Sequence, residues 1–388
     1  MSRWSAIVGY SLVGAATQLV WLNFAGVTTV AATHYAVSET AIGWLAQVFP
    51  LLYVVLSIPC GLLLDRWFRP ALLAGAVLTA IGALVRLGGD HFGWLLAGQL
   101  IASVAQPLVL NAVTGITGRY LSEKDRPTGI ALGTASIFAG MVLAFLLSAV
   151  FSTANSLHTM LLVTAAFCVL ATAFLAAALR TPGPHALAAP AVPQAIFAAL
   201  RTAWADPLIR RLCVLAVFPF GVFVALSTFA QPLLEPAGVT STTASVILLL
   251  NVIAGVIGSA LIPIWAARHH AESPYLVTAL SVTALCCALL AFLPNTPVAL
   301  ITITLIGLLL LPALPIVLEL VERRSGDSEG TAAGLIWLSG NAGGLLAATA
   351  VGLLVNHPRY AFLLLAALPL IALPGAHTLR HRLTPTTR

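Results

Sequence analysis

The chain has 388 residues, of which 60% are hydrophobic and 8% charged; its mean hydropathy is +1.02 and its formal net charge +6. A soluble domain carries about 25% charged residues, so this composition excludes a water-facing surface over most of the chain. Lipid is the solvent it is built for.

An apolar run of about 20 residues crosses a bilayer. In lipid such a run must be helical, because every backbone N–H and C=O needs an internal partner. Six runs qualify in the first half, at 6–31, 41–64, 70–88, 93–118, 127–151 and 158–179. Six more follow, at 212–234, 242–266, 274–293, 297–320, 331–355 and 360–379. The first begins almost at Met1, exceeds a signal-peptide core and shows no small-residue cleavage site after it, so it is read as retained. Between the sixth and seventh runs lies RTPGPHALAAPAVPQAIFAALRTAWADPLIRR. Its Pro/Ala-rich beginning reads as a linker. Its later part, about 194–211, sets Phe197, Leu200 and Trp204 among Arg201, Arg210 and Arg211, the pattern of a short helix on the inner membrane surface. The expected fold is an all-α membrane protein: twelve transmembrane helices in two pseudo-symmetric six-helix bundles, at 1–180 and 212–388, joined by a cytoplasmic linker at 181–211.

Placing the N-terminus in the cytoplasm puts sixteen of the eighteen Lys and Arg residues on the inner side and leaves Arg86 and Arg359 outside. That asymmetry fixes both termini inside and supports an even number of spans. The pI near 9.4 then reflects topology, not a nucleic-acid partner. All five cysteines lie within or at the edge of apolar runs and read as small buried hydrophobes. None of the nine histidines stands at a zinc spacing from cysteine or carboxylate. No metal and no cofactor are expected.

The second run ends in GLLLDRWFR (61–69), and the eighth in GSALIPIWAARHH (258–270), where the glycine and a terminal arginine recur but Ala267 stands in place of the aspartate. Parallel repeats with a substrate site between halves characterise secondary transporters. GLLLDRWFR resembles the loop signature of the major facilitator superfamily. Gly61 would allow close helix contact; Asp65, with Arg66 and Arg69, would make contacts that exist in one conformation and break in the other. SVAQ within GQLIASVAQPLVLN (98–111), SEGT followed by GL within 311–344, and WLNF (21–24) resemble the branch of feline leukaemia virus subgroup C receptor-related proteins. The resemblance implies transport of small cationic or amphiphilic metabolites, choline and ethanolamine among them, with haem export also assigned in the branch. It places Trp21 over a substrate ammonium and Gln106 along the path, and matches Glu322 to an acidic gating residue. Two positions depart from it: Val224 stands where an aromatic falls, with Phe220 and Phe223 nearby, and Asn341 stands where a glutamine falls. A quaternary ammonium is held by an aromatic cage, and Val224 leaves one wall unbuilt.

On their own chemistry the same residues stand out. Trp21 lies about 20 Å along its helix from the inner end, too deep for the interface role of Trp4, Trp44, Trp67, Trp94 and Trp265. Gln18 and Phe24 share its face by the i, i+3 rule. Gln106, Asn111, Gln231, Asn251 and Asn341 are the other mid-run amides, each of which could equally bridge helices. The candidate substrate residues are therefore Gln18, Trp21, Phe24, Gln106, Asn111, Phe223, Gln231 and Asn341, with Gly61, Asp65, Arg66, Arg69 and Glu322 as gating candidates. No charged residue is expected at mid-membrane. Intramembrane carboxylates are the usual proton relays, so facilitated transport of a neutral or cationic metabolite is favoured over a proton-coupled exporter. No P-loop, H-E-x-x-H or G-x-S-x-G occurs, so an enzyme is not expected. A receptor or scaffold is disfavoured by the short loops. The expected partners are a small-molecule substrate and the lipid bilayer, with the chain a monomer in the cell membrane.

Overall fold

The computed structural model describes residues 2–184, 201, 204–313, 316–317 and 329–383. In the first half the helices are α1 (Trp4–Leu22), α2 (Thr28–His34), α3 (Glu39–Arg66), α4 (Phe68–Val85), α5 (Phe92–Leu110), α6 (Val113–Tyr120), α7 (Arg126–Val150) and α8 (Leu157–Leu179). In the second half they are α9 (Pro207–Leu234), α10 (Ser241–Arg268), α11 (Glu272–Phe292), α12 (Thr296–Leu310), α13 (Glu329–Leu353) and α14 (Pro358–Leu383). Eleven of these helices are long and apolar enough to cross a membrane, and the 15-residue α12 is a shorter apolar helix. Together they account for the twelve expected spans. Part of the tenth, predicted to reach 320, lies outside the described residues, as does half of the surface helix expected at 194–211.

Several boundaries follow from capping. Ser38 accepts a hydrogen bond from the Ala41 N–H at the start of α3, and Asn295 accepts one from Val298 at the start of α12. Asp206 caps Leu208 N–H at 2.7 Å with Pro207 behind it, which starts α9 five residues earlier than the hydropathy of its run suggests. Arg210 and Arg211 therefore ride exposed on the first turns of a helix. Leu170, Leu285 and Leu346 are largely exposed on mid-helix surfaces, as lipid contact requires. Trp4, Trp44, Trp67, Trp94 and Trp265 are exposed close to helix ends, in the positions of interface anchors.

The chain forms two compact units, Met1–Pro193 and Gln194–Arg388. Within the first, the most extensive helix pairings are α1 with α7 and α8, α4 with α5 and α8, and α3 with α5. Within the second they are α9 with α13 and α14, α11 with α12 and α14, and α10 with α12. Counting spans from each unit's start, these are the same five pairs, so the internal repeat is one of topology. The sequence echo is not in register with it. Gly258 is pressed on α12, where an added Cβ would lie 2.3 Å from the Leu308 carbonyl oxygen, whereas a Cβ on Gly61 would meet nothing within 4 Å. Among the described residues Gly61 thus makes no close helix contact, contrary to the expectation for it.

Close approach also marks the pairs α1/α7 and α9/α13. A Cβ on Gly140 would fall 2.3 Å from the Ala15 carbonyl oxygen, and one on Gly343 2.2 Å from that of Val217. With no hydrophobic drive between helices in lipid, small residues that let backbones touch are the main source of packing energy. Gly343 of SGNAGG is used in this way.

Candidate functional site

The first span is not continuous. α1 ends at Leu22, residues 23–27 turn, and α2 begins at Thr28. The last bond of the α1 ladder runs from Asn23 N–H to Leu19 O at 3.2 Å. The next acceptor, Val20 O, is taken by side chains: Arg86 Nη1 donates to it at 3.3 Å and Gln99 Nε2 at 3.2 Å. Side-chain insertion into the ladder is a recognised cause of a break. Arg86 also donates to Asn23 Oδ1 at 3.0 Å and Gln99 Oε1 at 3.3 Å, and its guanidinium lies 5.3 Å from the centre of the Phe24 ring. Asn23 is further tied to Thr164 and, through its carbonyl, to Ser148. The break lets α2 bury Ala31, Ala32 and Tyr35 against Ile42 and Leu45 of α3 and Leu157 and Leu161 of α8.

Two expectations change here. Arg86, assigned to the outer rim, is 1% exposed, so a charge does lie inside the first unit. Its one sequence signal was its position on the side the positive-inside pattern avoids. Phe24 is in the turn, not on a helical face with Trp21, and one of its ring faces carries Arg86.

Trp21 is 5% exposed, its Nε1–H donates to Ala46 O of α3 at 2.8 Å, and its ring lies 6.4 Å from that of Phe49. Gln18 points elsewhere: its Cβ lies against Gly140 of α7, and its Nε2 donates to Thr17 Oγ1. The i, i+3 spacing therefore brings these two close in sequence but aims them at different neighbours. On α5, Asn111 is the C-terminal cap, and its amide is spent on α3: Tyr53 Oη–H donates to Oδ1 at 2.8 Å, and Nδ2 donates to the Ser57 carbonyl and hydroxyl. Gln106 differs. It is 4% exposed, yet its side chain has no hydrogen-bond partner among the described residues. Because Tyr53→Phe removes a single donor from Asn111, it is expected to lower stability by about 1 kcal/mol, read as a reduced thermal midpoint with transport retained.

In the second unit the aromatic side chains gather on α9 and α13. Phe220 is edge-on to Phe223 at 6.3 Å and to Trp337 at 6.1 Å. Asn341 Nδ2 donates to the Trp337 carbonyl. Trp337, which sequence reasoning missed, completes this three-ring cluster. Val224 is fully buried, and a Cβ added at Gly344 would lie 2.9 Å from its Cγ2. Gln231 is spent on Glu235 and Ser241 at the far end of α9, away from the ring cluster by sequence. Asn251 Nδ2 bonds Ile303 O at 2.6 Å and ties α10 to α12.

Of the gating candidates, Arg69 reaches the carbonyls of Leu179 and Arg180, the C-terminal end of α8, where a cation complements the helix dipole. Arg66 is exposed, with its guanidinium 4.7 Å over the Trp67 ring. At the same rim, the Asp125 carboxylate accepts from the hydroxyls of Ser2 and Ser122, which hold its pKa below the ordinary carboxylate value. The Asp65 side chain and the whole of Glu322 lie outside the described residues. Among the described residues no group of three or more His, Cys, Asp or Glu could hold a metal.

Two helical units built on one pairing scheme, with a broken first span and polar side chains inside apolar bundles, define a multi-pass secondary transporter. The chain belongs to the major facilitator superfamily, whose sequence model, described as Major Facilitator Superfamily, matches residues 6–348. It is similar to Solute carrier family 49 member A3 of Danio rerio, with 26% identity over 87% of this chain and 75% of that one. It is also similar to the human Choline/ethanolamine transporter FLVCR2, with 28% identity over 37% of this chain and 28% of that one. Among solved structures, an inward-facing, unoccupied bacterial homologue of the human lysosomal transporter Spinster shares the fold, with a TM-score of 0.79, 16% identity and 99% coverage of both chains. The chain is thus a membrane transporter of the major facilitator type, acting on a small-molecule substrate across a lipid bilayer.

Proposed function

We propose that the protein carries a small neutral or cationic metabolite, of the amine or amino-alcohol class, across the cell membrane by facilitated alternating access, with both termini cytoplasmic. The observation that carries this reading is Gln106, which is 4% exposed and has no side-chain hydrogen-bond partner among the described residues. Gln18, Gln99, Asn111, Gln231, Asn251 and Asn341, by contrast, all make hydrogen bonds within the protein. An amide with no partner among the described residues supports a contact to a solute hydroxyl or amine. Trp21, beside a helix break of the kind that forms substrate sites in such carriers, supplies an aromatic face for an alkyl or ammonium group. Two similar transporters are named for choline and ethanolamine. Asp65 and Glu322 stay in this proposal as gating residues, with Arg69 already holding the end of α8.

A thermal-shift screen of amines, amino alcohols and neutral metabolites identifies the solute, and flux into proteoliposomes then tests coupling. Imposing a pH gradient is expected to change the initial rate by less than about twofold, since among the described residues the buried carboxylate is Glu272, at the first turn of α11 and not at mid-helix. A strict requirement for the gradient would replace facilitation with proton-coupled export. Binding without flux of any screened solute would favour a receptor.

A further inference from the structure

The break in the first span has no local cause. No proline occurs between Thr17 and Val27, and Gly26 lies beyond the point where the ladder fails. What stands at that point is the guanidinium of Arg86, from 66 residues further along the chain. Burying a charge is costly unless it is compensated, and the acceptors around Arg86 are neutral: one backbone carbonyl and two side-chain amides. The remaining compensation comes from the C-terminal end of α1, whose free carbonyls carry about half a negative charge. That end exists because the helix stops there. Arg86 and the break therefore sustain each other: the cation withdraws Val20 O from the ladder, and the resulting helix end stabilises the cation.

We propose that Arg86 is a positioning residue that makes the break at Asn23–Val27 and through it sets Trp21 and Phe24. The role for Trp21 rests on the solute-binding reading given above; the break itself does not. Carbonyl ends of broken helices are where ion-coupled carriers hold their coupling cation. Here a tethered guanidinium already holds that end.

The test is a distance. Spin labels at exposed positions 8 and 33, introduced as V8C and T33C in the full chain in nanodiscs, span the break; the five native cysteines are buried. An unbroken helix would separate the two backbones by about 38 Å. The wild type is expected to show a shorter distance, and Arg86→Gln to shift toward the unbroken value. Arg86→Lys, which keeps the charge but lacks the fork that grips two oxygens, is expected to divide between the two. An unchanged distribution in R86Q overturns the proposal. If R86Q does not reach the membrane folded, a wild-type distribution in R86K overturns it instead.

A second arm measures choline uptake. R86Q is expected to raise KM about tenfold with R86K intermediate, whereas a residue that only supports folding would lower the amount of active carrier at constant KM. A lengthened distance with unchanged KM rejects the link to Trp21. An unchanged KM in Trp21→Phe and Trp21→Ala, or no choline flux in the wild type, counts against the solute reading alone, and the distance result still decides the break.

Discussion

Replacing Gly343 by valine is expected to destabilise the second unit by about 3 kcal/mol, the upper end of the range for overpacking. The added Cβ would fall 2.2 Å from the carbonyl oxygen and 2.7 Å from the Cα of Val217. Both are backbone atoms of α9, so no rotamer change relieves the clash and the helices must separate. Separation also loosens Gly221, which faces Gly343 and Ala347, and it moves Trp337 and Asn341, which ride on the same helix. Thermal unfolding in detergent measures the loss. Gly61→Val is the matched control: nothing lies within 4 Å of its Cβ, so its midpoint should match the wild type. Equal losses in the two variants would mean that helix packing, as described, does not govern stability here.

Gln106→Leu is expected to cut kcat/KM about tenfold, one hydrogen bond's worth of binding at about 1.4 kcal/mol, with the thermal midpoint unchanged or raised. The opposite signs are the point. A glutamine that bridged helices would leave its partner orphaned and lower stability when removed. An amide that has no partner among the described residues leaves none of them orphaned when an apolar side chain of similar size replaces it. Uptake of the solute found by the thermal-shift screen, with thermal unfolding of the same preparation, reads both quantities. A fall in the midpoint with intact transport would make Gln106 a structural residue and remove the main support for the solute site.

Particular residues show where sequence reasoning succeeded and where it failed. The twelve apolar runs match eleven long helices and one short one because lipid allows few alternatives: a run that is neither water-soluble nor helical has no stable place. The burial of Trp21 was legible for a similar reason, since a tryptophan far from the ends of its apolar run is no interface anchor. The aim of each amide was not legible. Gln18, Asn111 and Gln106 look alike in sequence, yet Gln18 stays within its own helix, Asn111 is consumed by Tyr53 and Ser57, and Gln106 has no side-chain partner among the described residues. Phe24 was assigned a helical face it does not have, because the rule of threes and fours holds only where the ladder continues.

The sequence alone determined that this is a helical membrane protein of two six-span halves and which superfamily it resembles, because hydropathy, charge placement and short loop motifs are local properties read without folding the chain. Only the tertiary structure decided which small residues bring backbones into contact, which polar side chains are already spent, and where the first span breaks. Each of these depends on atoms brought together from distant parts of the chain. The break, on which the setting of Trp21 depends, is made by an arginine that local sequence places at the rim and the fold turns inward.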